Sequence, residues 1–278
     1  MSRDNRVDRY AVVGNPVAHS LSPRIHTEFA RATGEALDYQ AIEIATDAFS
    51  AGIADLQQQG FRGVNVTVPF KREAWELCHS LTSRARIAGA VNTLCLQADG
   101  TIHGDNTDGI GLVRDLVNNL KIEIKQRNIL ILGAGGAVRG VLEPLLERSP
   151  AQITLANRSI DRARALAQDF RSYGKIEVVA YSRLKPEGYY LIINATAAGL
   201  SNQIPPISTT VPDRTGVCYD MMYNLNAPTA FVAWSQAQGV ARSHDGLGML
   251  VEQAAEAFCL WRGLRPHTSE LLSVLRAT

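Results

Sequence analysis

Lys71 stands four residues after Thr67 and just past Pro69, at the start of a helical pattern. A lysine beside a carboxylate can hold or pass a proton at a reacting oxygen. Short hydroxyls and amides recur at the ends of the strand-like segments around it: Ser20 and Ser22, Asn65 and Thr67, Asn92 and Thr93, Asn106 and Asp108. Such a set suits a small polyhydroxylated ligand. Each residue also has a plainer role open to it. Ser22 suits a helix cap, Asn92 and Asn106 suit turns, Asp108 an N-cap, and Lys71 an exposed surface.

A second group has different chemistry. The apolar run 128–132 leads into Gly133-Ala134-Gly135-Gly136-Ala137, and a helical pattern follows over 138–148. Small residues there let the backbone approach a pyrophosphate, while the unpaired N–H groups of a helix start hold its charge. The third position of the strict Gly-x-Gly-x-x-Gly pattern is Val138, so the reading rests on the strand before and the helix after. The next strand, 152–156, ends at Asn157-Arg158-Ser159, 24 residues after Gly133. The acid that would bond a ribose diol is absent, and Arg158 and Arg162 offer guanidinium forks suited to a 2′-phosphate. NADP is therefore favoured over NAD. The plainer reading makes both arginines solvated residues of a helix start.

Alternating short apolar strands and amphipathic helices position these groups, which predicts an α/β protein of two domains. Strands are expected at 10–13, 37–44, 64–68 and 90–96, with a helix beginning at Ser22-Pro23 and ending by Gly34, and another over 47–59. In the third strand Val64, Val66 and Val68 should enter a core while Asn65 and Thr67 face away. Asp99-Gly100 signals a hairpin turn. A long helix from Ile110 to Leu120 leads out of the first unit. Strands at 189–193 and 217–221 should end at the crevice side of the second sheet, as ligand-binding strand ends do.

The chain has 278 residues, 46% of them hydrophobic and 20% charged, which excludes disorder and fibrous repeats. A net charge of +1 provides no field for nucleic acid or anionic lipid, so neither is an expected partner. The first ten residues alternate charges without an apolar run, neither a leader nor an anchor, and a cytoplasmic location is the default. The four cysteines show no metal-ligand spacing, no metal is expected, and buried reduced thiols are the reading. With no coiled-coil pattern, a monomer or homodimer is expected.

Taken together, the motifs resemble a family. Gly14-Asn15-Pro16-Val17-x-His19-Ser20-x-Ser22-Pro23-x-x-His26, Asn65-Val66-Thr67-Val68-Pro69-x-Lys71, Gly89-Ala90-Val91-Asn92-Thr93, Asn106-Thr107-Asp108-Gly109, the 133–137 turn, Asn157-Arg158 and Gly246-Leu247-Gly248-Met249-Leu250-x-x-Gln253 run in order along nearly the whole chain. They are similar to those of the shikimate and quinate dehydrogenases. The resemblance implies NADP-dependent reduction of 3-dehydroshikimate to shikimate, in chorismate and aromatic amino acid biosynthesis. It also implies a substrate domain with a mostly parallel sheet (1–110, completed by 246–278) and a Rossmann-type doubly wound NADP-binding domain (111–245); from this layout alone, hinges are expected at the crossings near 110 and 246. By the same resemblance Lys71 and Asp108 form the catalytic pair. Ser20, Ser22, Thr67, Asn92 and Gln253 hold the substrate, with Tyr223 nearby. Gly133, Ala134, Gly135, Gly136, Ala137, Asn157, Arg158, Ser159, Arg162, Met221 and Gly246 take the cofactor. The alternatives are a quinate or dual-specificity dehydrogenase, a ligand sensor without turnover, and a folate or amino acid dehydrogenase of similar layout.

Overall fold

The computed structural model describes residues 7–186, 188–196, 198 and 203–277. Six of the ten opening residues read as carrying no leader, 1–6, lie outside that set. The chain forms two compact units, one of residues up to Gly111 with Val251–Val274, the other of Leu112–Leu250 with the residues from Leu275.

The first unit runs β1 (Asp8–Gly14), α1 (Ser22–Thr33), β2 (Leu37–Glu43), α2 (Phe49–Gln58), β3 (Phe61–Val66), α3 (Lys71–Leu77), β4 (Ser80–Leu81), α4 (Ser83–Ala88), β5 (Thr93–Leu96) and β6 (Ile102–Asp105), then enters α5 (Asp108–Arg114). Its six-stranded sheet has the order β2-β1-β3-β5-β6-β4. The strands are parallel except that β5 opposes both β3 and β6. The β5–β6 hairpin turns at Gly100, whose φ of 90° favours glycine. Ile53, Val64, Val66, Phe70, Val91 and Leu94 fill the core of one face.

Three sequence expectations change here. Ser22 does not cap α1: Leu21 holds the cap position, and Ser22 is the first helical residue and buried. Gly34 does end the helix, at φ 70°. In β3 the expected polar face is also covered, because the strand lies inside the sheet; Asn65 is 5% exposed while Val68, past the strand end, is exposed. The strand expected over 90–96 begins only at Thr93, which leaves Asn92 in the approach to it.

The second unit opens with a π-helical turn (Asp115–Asn119) that continues α5, so the single long helix expected to Leu120 widens halfway. There follow β7 (Asn128–Leu132), α6 (Gly136–Leu146), β8 (Gln152–Ala156), α7 (Ile160–Asp169), β9 (Ile176–Val179), β10 (Tyr189–Asn194), β11 (Pro212–Asp220), α8 (Ala230–Ala237) and β12 (Arg242–His244). Helices α9 (Leu247–Arg262) and α10 (Ser269–Arg276) end the chain. All six strands are parallel, in the order β12-β11-β10-β7-β8-β9. Counted from β7, this is the doubly wound order of dinucleotide-binding sheets, with the reversal between β7 and β10.

All four cysteines are unpaired, but only Cys218 is buried; Cys78, Cys95 and Cys259 are half-buried, short of the full burial expected. Burial pushes the thiols of Cys78 and Cys218 up to about 12 and that of Cys95 up to about 11. Among the described residues no group of side chains is arranged to hold a metal ion, and no helix is long and apolar enough to cross a membrane.

Gly63 in β3 shows how tightly the first unit packs: a Cβ there would lie 2.3 Å from Trp261 Nε1, which donates to Leu94 O at 3.0 Å. Gly63→Ala should therefore lower stability by about 1–3 kcal/mol, the usual cost of overpacking. Urea unfolding checks this as a lower midpoint at unchanged slope; an unmoved midpoint would mean that the indole gives way freely.

Candidate active site

Strand register gathers the polar residues of the first unit at one sheet edge. Parallel β1 and β3 pair Val13 with Val66, so Gly14 and Thr67 leave side by side. The Thr67 N–H donates to Val13 O at 2.9 Å and the Asn15 N–H to Val68 O at 3.0 Å. A Cβ on Gly14 would lie 2.4 Å from Thr67 Cγ2, so glycine is needed for this approach. Antiparallel β5 pairs Thr93 with Asn65 and with Asp105, which brings Asn92 and residues 106–108 to the same edge. Lys71 opens α3, and its carbonyl accepts the Val91 N–H at 2.8 Å.

There Lys71 Nζ meets Asp108 Oδ2 at 2.5 Å, with side chains 27% and 10% exposed, enough for a ligand to reach the ammonium. The other carboxylate oxygen accepts from Asn92 Nδ2 at 2.8 Å. Asn92 Nδ2 also faces Thr107 Oγ1 at 3.0 Å and Gln253 Oε1 at 3.3 Å, and its Oδ1 accepts the Thr107 N–H at 2.8 Å. Asn106 does the turn work its type suggested, accepting the Asp108 N–H at 3.1 Å and donating to Ala90 O at 3.0 Å. Behind it the buried Asp105 carboxylate accepts the Asn106 N–H, the Thr82 hydroxyl and two Arg84 N–H groups, at 2.6–2.7 Å.

A second line of contacts reaches the serines. The Tyr39 hydroxyl donates to Asn65 Oδ1 at 2.7 Å and also meets the Ser22 hydroxyl. Asn65 Nδ2 in turn faces Asn92 O at 3.2 Å and Thr93 Oγ1 at 3.1 Å. Ser20 Oγ accepts the Ser22 N–H at 3.2 Å, and Thr67 is half-buried. Tyr39 and Thr107 were missed in the sequence. Nothing in an apolar strand pattern marks Tyr39, and Thr107 sits between two better candidates. Asn65 was among the polar strand-end residues read as suiting a small polyhydroxylated ligand, but its bonds to Tyr39 and Thr93 were not foreseen.

His26, one turn along α1 from Ser22, is fully buried against Tyr39, with ring centroids 4.2 Å apart and planes 5° from parallel. By hydrogen-bond geometry neither ring nitrogen is paired among the described residues, and Asn65 is the polar side chain that acts on the ring. Burial pulls its pKa down to about 3.

In the second unit, α6 starts at Gly136 with Gly135 at its cap and no side chain bonded to its first N–H groups. A Cβ on Gly135 or Gly136 would meet nothing within 4 Å, so the backbone there borders open space. Gly133 has φ 118°, and a Cβ on it would lie 3.1 Å from Ala195 O, at the end of β10. Asn157 Nδ2 donates to Ser159 O at 2.9 Å and shapes the turn after β8. Arg158 and Arg162 are exposed, and among the described residues neither pairs with a carboxylate. Ser159 caps α7 by backbone alone. Gly246 lies against Met221 at the end of β11, where its N–H donates to Met222 O at 2.9 Å, and Tyr223 follows Met222 in the chain. Burial raises the Tyr223 phenol, which therefore stays protonated.

Residues 12–94 match the profile of the shikimate dehydrogenase substrate binding domain. Residues 115–201 match that of shikimate / quinate 5-dehydrogenase, and 246–276 that of the shikimate 5′-dehydrogenase C-terminal domain. The chain is 52% identical over 270 residues to the shikimate dehydrogenase (NADP(+)) of Thioalkalivibrio sulfidiphilus, covering 97% of this chain and 98% of that one. It belongs to the shikimate dehydrogenase family. Another relative, the shikimate dehydrogenase (NADP(+)) of Chromobacterium violaceum, is 49% identical over 97% of this chain and 98% of its own. Among solved structures, the shikimate 5-dehydrogenase of Thermus thermophilus in complex with NADP(H) and shikimate is 33% identical at a TM-score of 0.87, covering 98% of this chain and 99% of that chain. An Ael1 enzyme from Pseudomonas putida is 40% identical at a TM-score of 0.89, covering 96% and 98%.

The buried imidazole beside this family's serine motif makes a pH prediction. Its folded pKa lies below the ordinary 6.5, so the stability linked to it is complete above about pH 6.5 and is lost as pH falls toward 3. Between pH 6.5 and 4 the urea midpoint of the parent should drop further than that of His26→Phe. Parallel profiles for the two would contradict a neutral buried ring.

Proposed function

We propose that this chain catalyses the NADP-dependent, reversible reduction of 3-dehydroshikimate to shikimate, a step in chorismate and aromatic amino acid biosynthesis. The contact that carries the mechanism is Lys71 Nζ on Asp108 Oδ2, with Asn92 on the second carboxylate oxygen. Membership of the family supports the reaction, and this geometry together with the matching motifs supports the residue roles.

Bound NADP(H) supplies or takes the hydride at C4 of its nicotinamide. Lys71 bonds the oxygen on the reacting carbon, stabilises the negative charge that develops there and delivers a proton as carbonyl becomes hydroxyl. Asp108 aims the ammonium and accepts from the same substrate hydroxyl. Asn92 holds Asp108 in place through one amide hydrogen. Ser20, Ser22, Thr67 and Gln253 hold the substrate carboxylate and remaining hydroxyls together with Asn92, and the matching motif assigns Tyr223 to the substrate as well.

The second unit fits the dinucleotide. Uncapped N–H groups at the start of α6, beside two glycines facing open space, suit a pyrophosphate. Arg158, Arg162 and the Ser159 hydroxyl suit a 2′-phosphate, and Met221 and Gly246 would border the nicotinamide end. We therefore assign the unit of residues up to Gly111 with Val251–Val274 as the substrate domain and the unit of Leu112–Leu250 as the NADP domain, the return falling at 251 rather than at the expected 246. Four unpaired cysteines accord with the reducing cytoplasm.

Absorbance at the reduced-nicotinamide band on mixing protein, shikimate and NADP tests the reaction, and absence of any rise would refute it. With general acid–base help worth about 100- to 10,000-fold, Lys71→Ala should lose kcat by at least 100-fold with its fold intact; unchanged turnover would remove Lys71 from the mechanism. Arg158→Ala should reduce the preference for NADP over NAD in kcat/KM by about 10- to 100-fold, the worth of one charged hydrogen bond. An unaltered cofactor ratio would make Arg158 a solvated surface residue.

A further inference from the structure

Helix α9 carries Gln253 and is preceded directly by Gly246, one residue assigned above to the substrate and one to the cofactor. Two close approaches within the second unit hold its start. Gly246 lies against the end of β11, where a Cβ would come within 2.3 Å of Met221 O. Two residues on, a Cβ on Gly248 would fall 2.0 Å from Asp115 Oδ1 and 2.3 Å from Oδ2, so the carboxylate occupies the place of a side chain.

Asp115 is 1% exposed and opens the π-helical turn, within which Asn119 Nδ2 donates to its Oδ1 at 2.9 Å. Its Oδ2 accepts from the Tyr219 hydroxyl at 2.8 Å. Tyr219 is fully buried on β11, and its oxygen also faces the backbone N–H of Met249, in the first turn of α9. One hydroxyl therefore donates to a buried carboxylate and accepts from an N–H of a helix start, a group with no partner inside its own helix. Neither residue belongs to the substrate or cofactor sets, and a buried side chain packed this close to a glycine backbone leaves little freedom for the helix to slide or rotate.

We propose that Tyr219 and Asp115 are positioning residues that fix the register of the amino end of α9, and through the helix the placement of Gln253. Gln253 lies five residues beyond Gly248, about 7.5 Å along the axis at helical rise. The widened turn at 115–119 serves this role, because a π-helical bulge shifts side chains out of ordinary helical phase. The inference rests on the substrate role assigned to Gln253.

The test compares the full-length parent with Tyr219→Phe, Asp115→Asn, Asp115→Ala and Gln253→Ala. For each, shikimate KM and kcat are measured at saturating NADP well below the melting temperature, shikimate affinity is measured by calorimetry without cofactor, and Tm is recorded. Tyr219→Phe leaves the carboxylate and the Met249 N–H short of a partner without changing shape. It should raise shikimate KM and Kd about tenfold, the equivalent of one strong buried hydrogen bond, with kcat changed much less. Asp115→Asn keeps an acceptor of the same size and should stay closer to the parent than Asp115→Ala. A Tyr219→Phe protein with lowered Tm but parental KM and Kd, alongside a Gln253→Ala protein with raised values, overturns the positioning role alone. Parental values in Gln253→Ala overturn the substrate role of Gln253, and the inference with it.

Discussion

The arrangement of the first unit depends on keeping an ammonium and a carboxylate 2.5 Å apart while leaving the ammonium within reach of a ligand. Such a pair is stable only when its remaining hydrogen-bonding capacity is met, since removing one partner of a partly buried ion pair leaves an uncompensated charge. Asn92 meets it on the carboxylate side, and Asn92 is in turn fixed by the Thr107 N–H and the Thr93 hydroxyl. The network closes through Asn65, Tyr39 and Ser22, so the positions of Ser22, Asn92 and the Lys71–Asp108 pair are set by one connected group of buried amides and hydroxyls. Five stretches of chain contribute to it, at 22, 39, 65–71, 92–93 and 107–108. This accounts for a sheet that is parallel where β1 and β3 send their ends outward and antiparallel where β5 returns.

The second unit uses backbone where the first uses side chains. It relies on N–H groups at the start of α6, a left-handed glycine at Gly133 set against Ala195, and glycines at 246 and 248 that admit a carbonyl and a carboxylate of the protein itself. A dinucleotide is long and carries fixed negative charge, so oriented peptide dipoles serve it well. A small polyol with several similar hydroxyls needs the directional reading that amides and hydroxyls provide.

Much of this was legible in the sequence, for physical reasons. The run 128–132 with its glycine turn reads as strand, loop and helix because every local preference agrees, and β7 and α6 lie there. Lys71 and Asp108 could each be named as candidates, but their contact depends on β3, β5 and β6 pairing in one register, which no local pattern encodes. The burial of Asn65 was misread for a related reason. Alternation of Val and polar residues describes a half-covered strand, whereas β3 lies inside its sheet and is covered on both faces. Ser22-Pro23 marked the start of α1 correctly to within one residue, yet the hydroxyl faces Tyr39 instead of the helix N–H groups. Asp115 was invisible as anything but one acid on a helical stretch, since its meaning comes from Gly248, far along the chain.

The thiols carry a further consequence. With Cys78 and Cys218 near 12 and Cys95 near 11, the thiolate form at neutral pH is on the order of one in ten thousand or rarer for each. Alkylating agents and peroxides react with thiolates, so these three sulfurs are close to inert while the protein stays folded. Thiol oxidants should thus leave these three positions untouched in the native protein, and a thiol-directed label found on Cys78, Cys95 or Cys218 would report on unfolding rather than on the native surface.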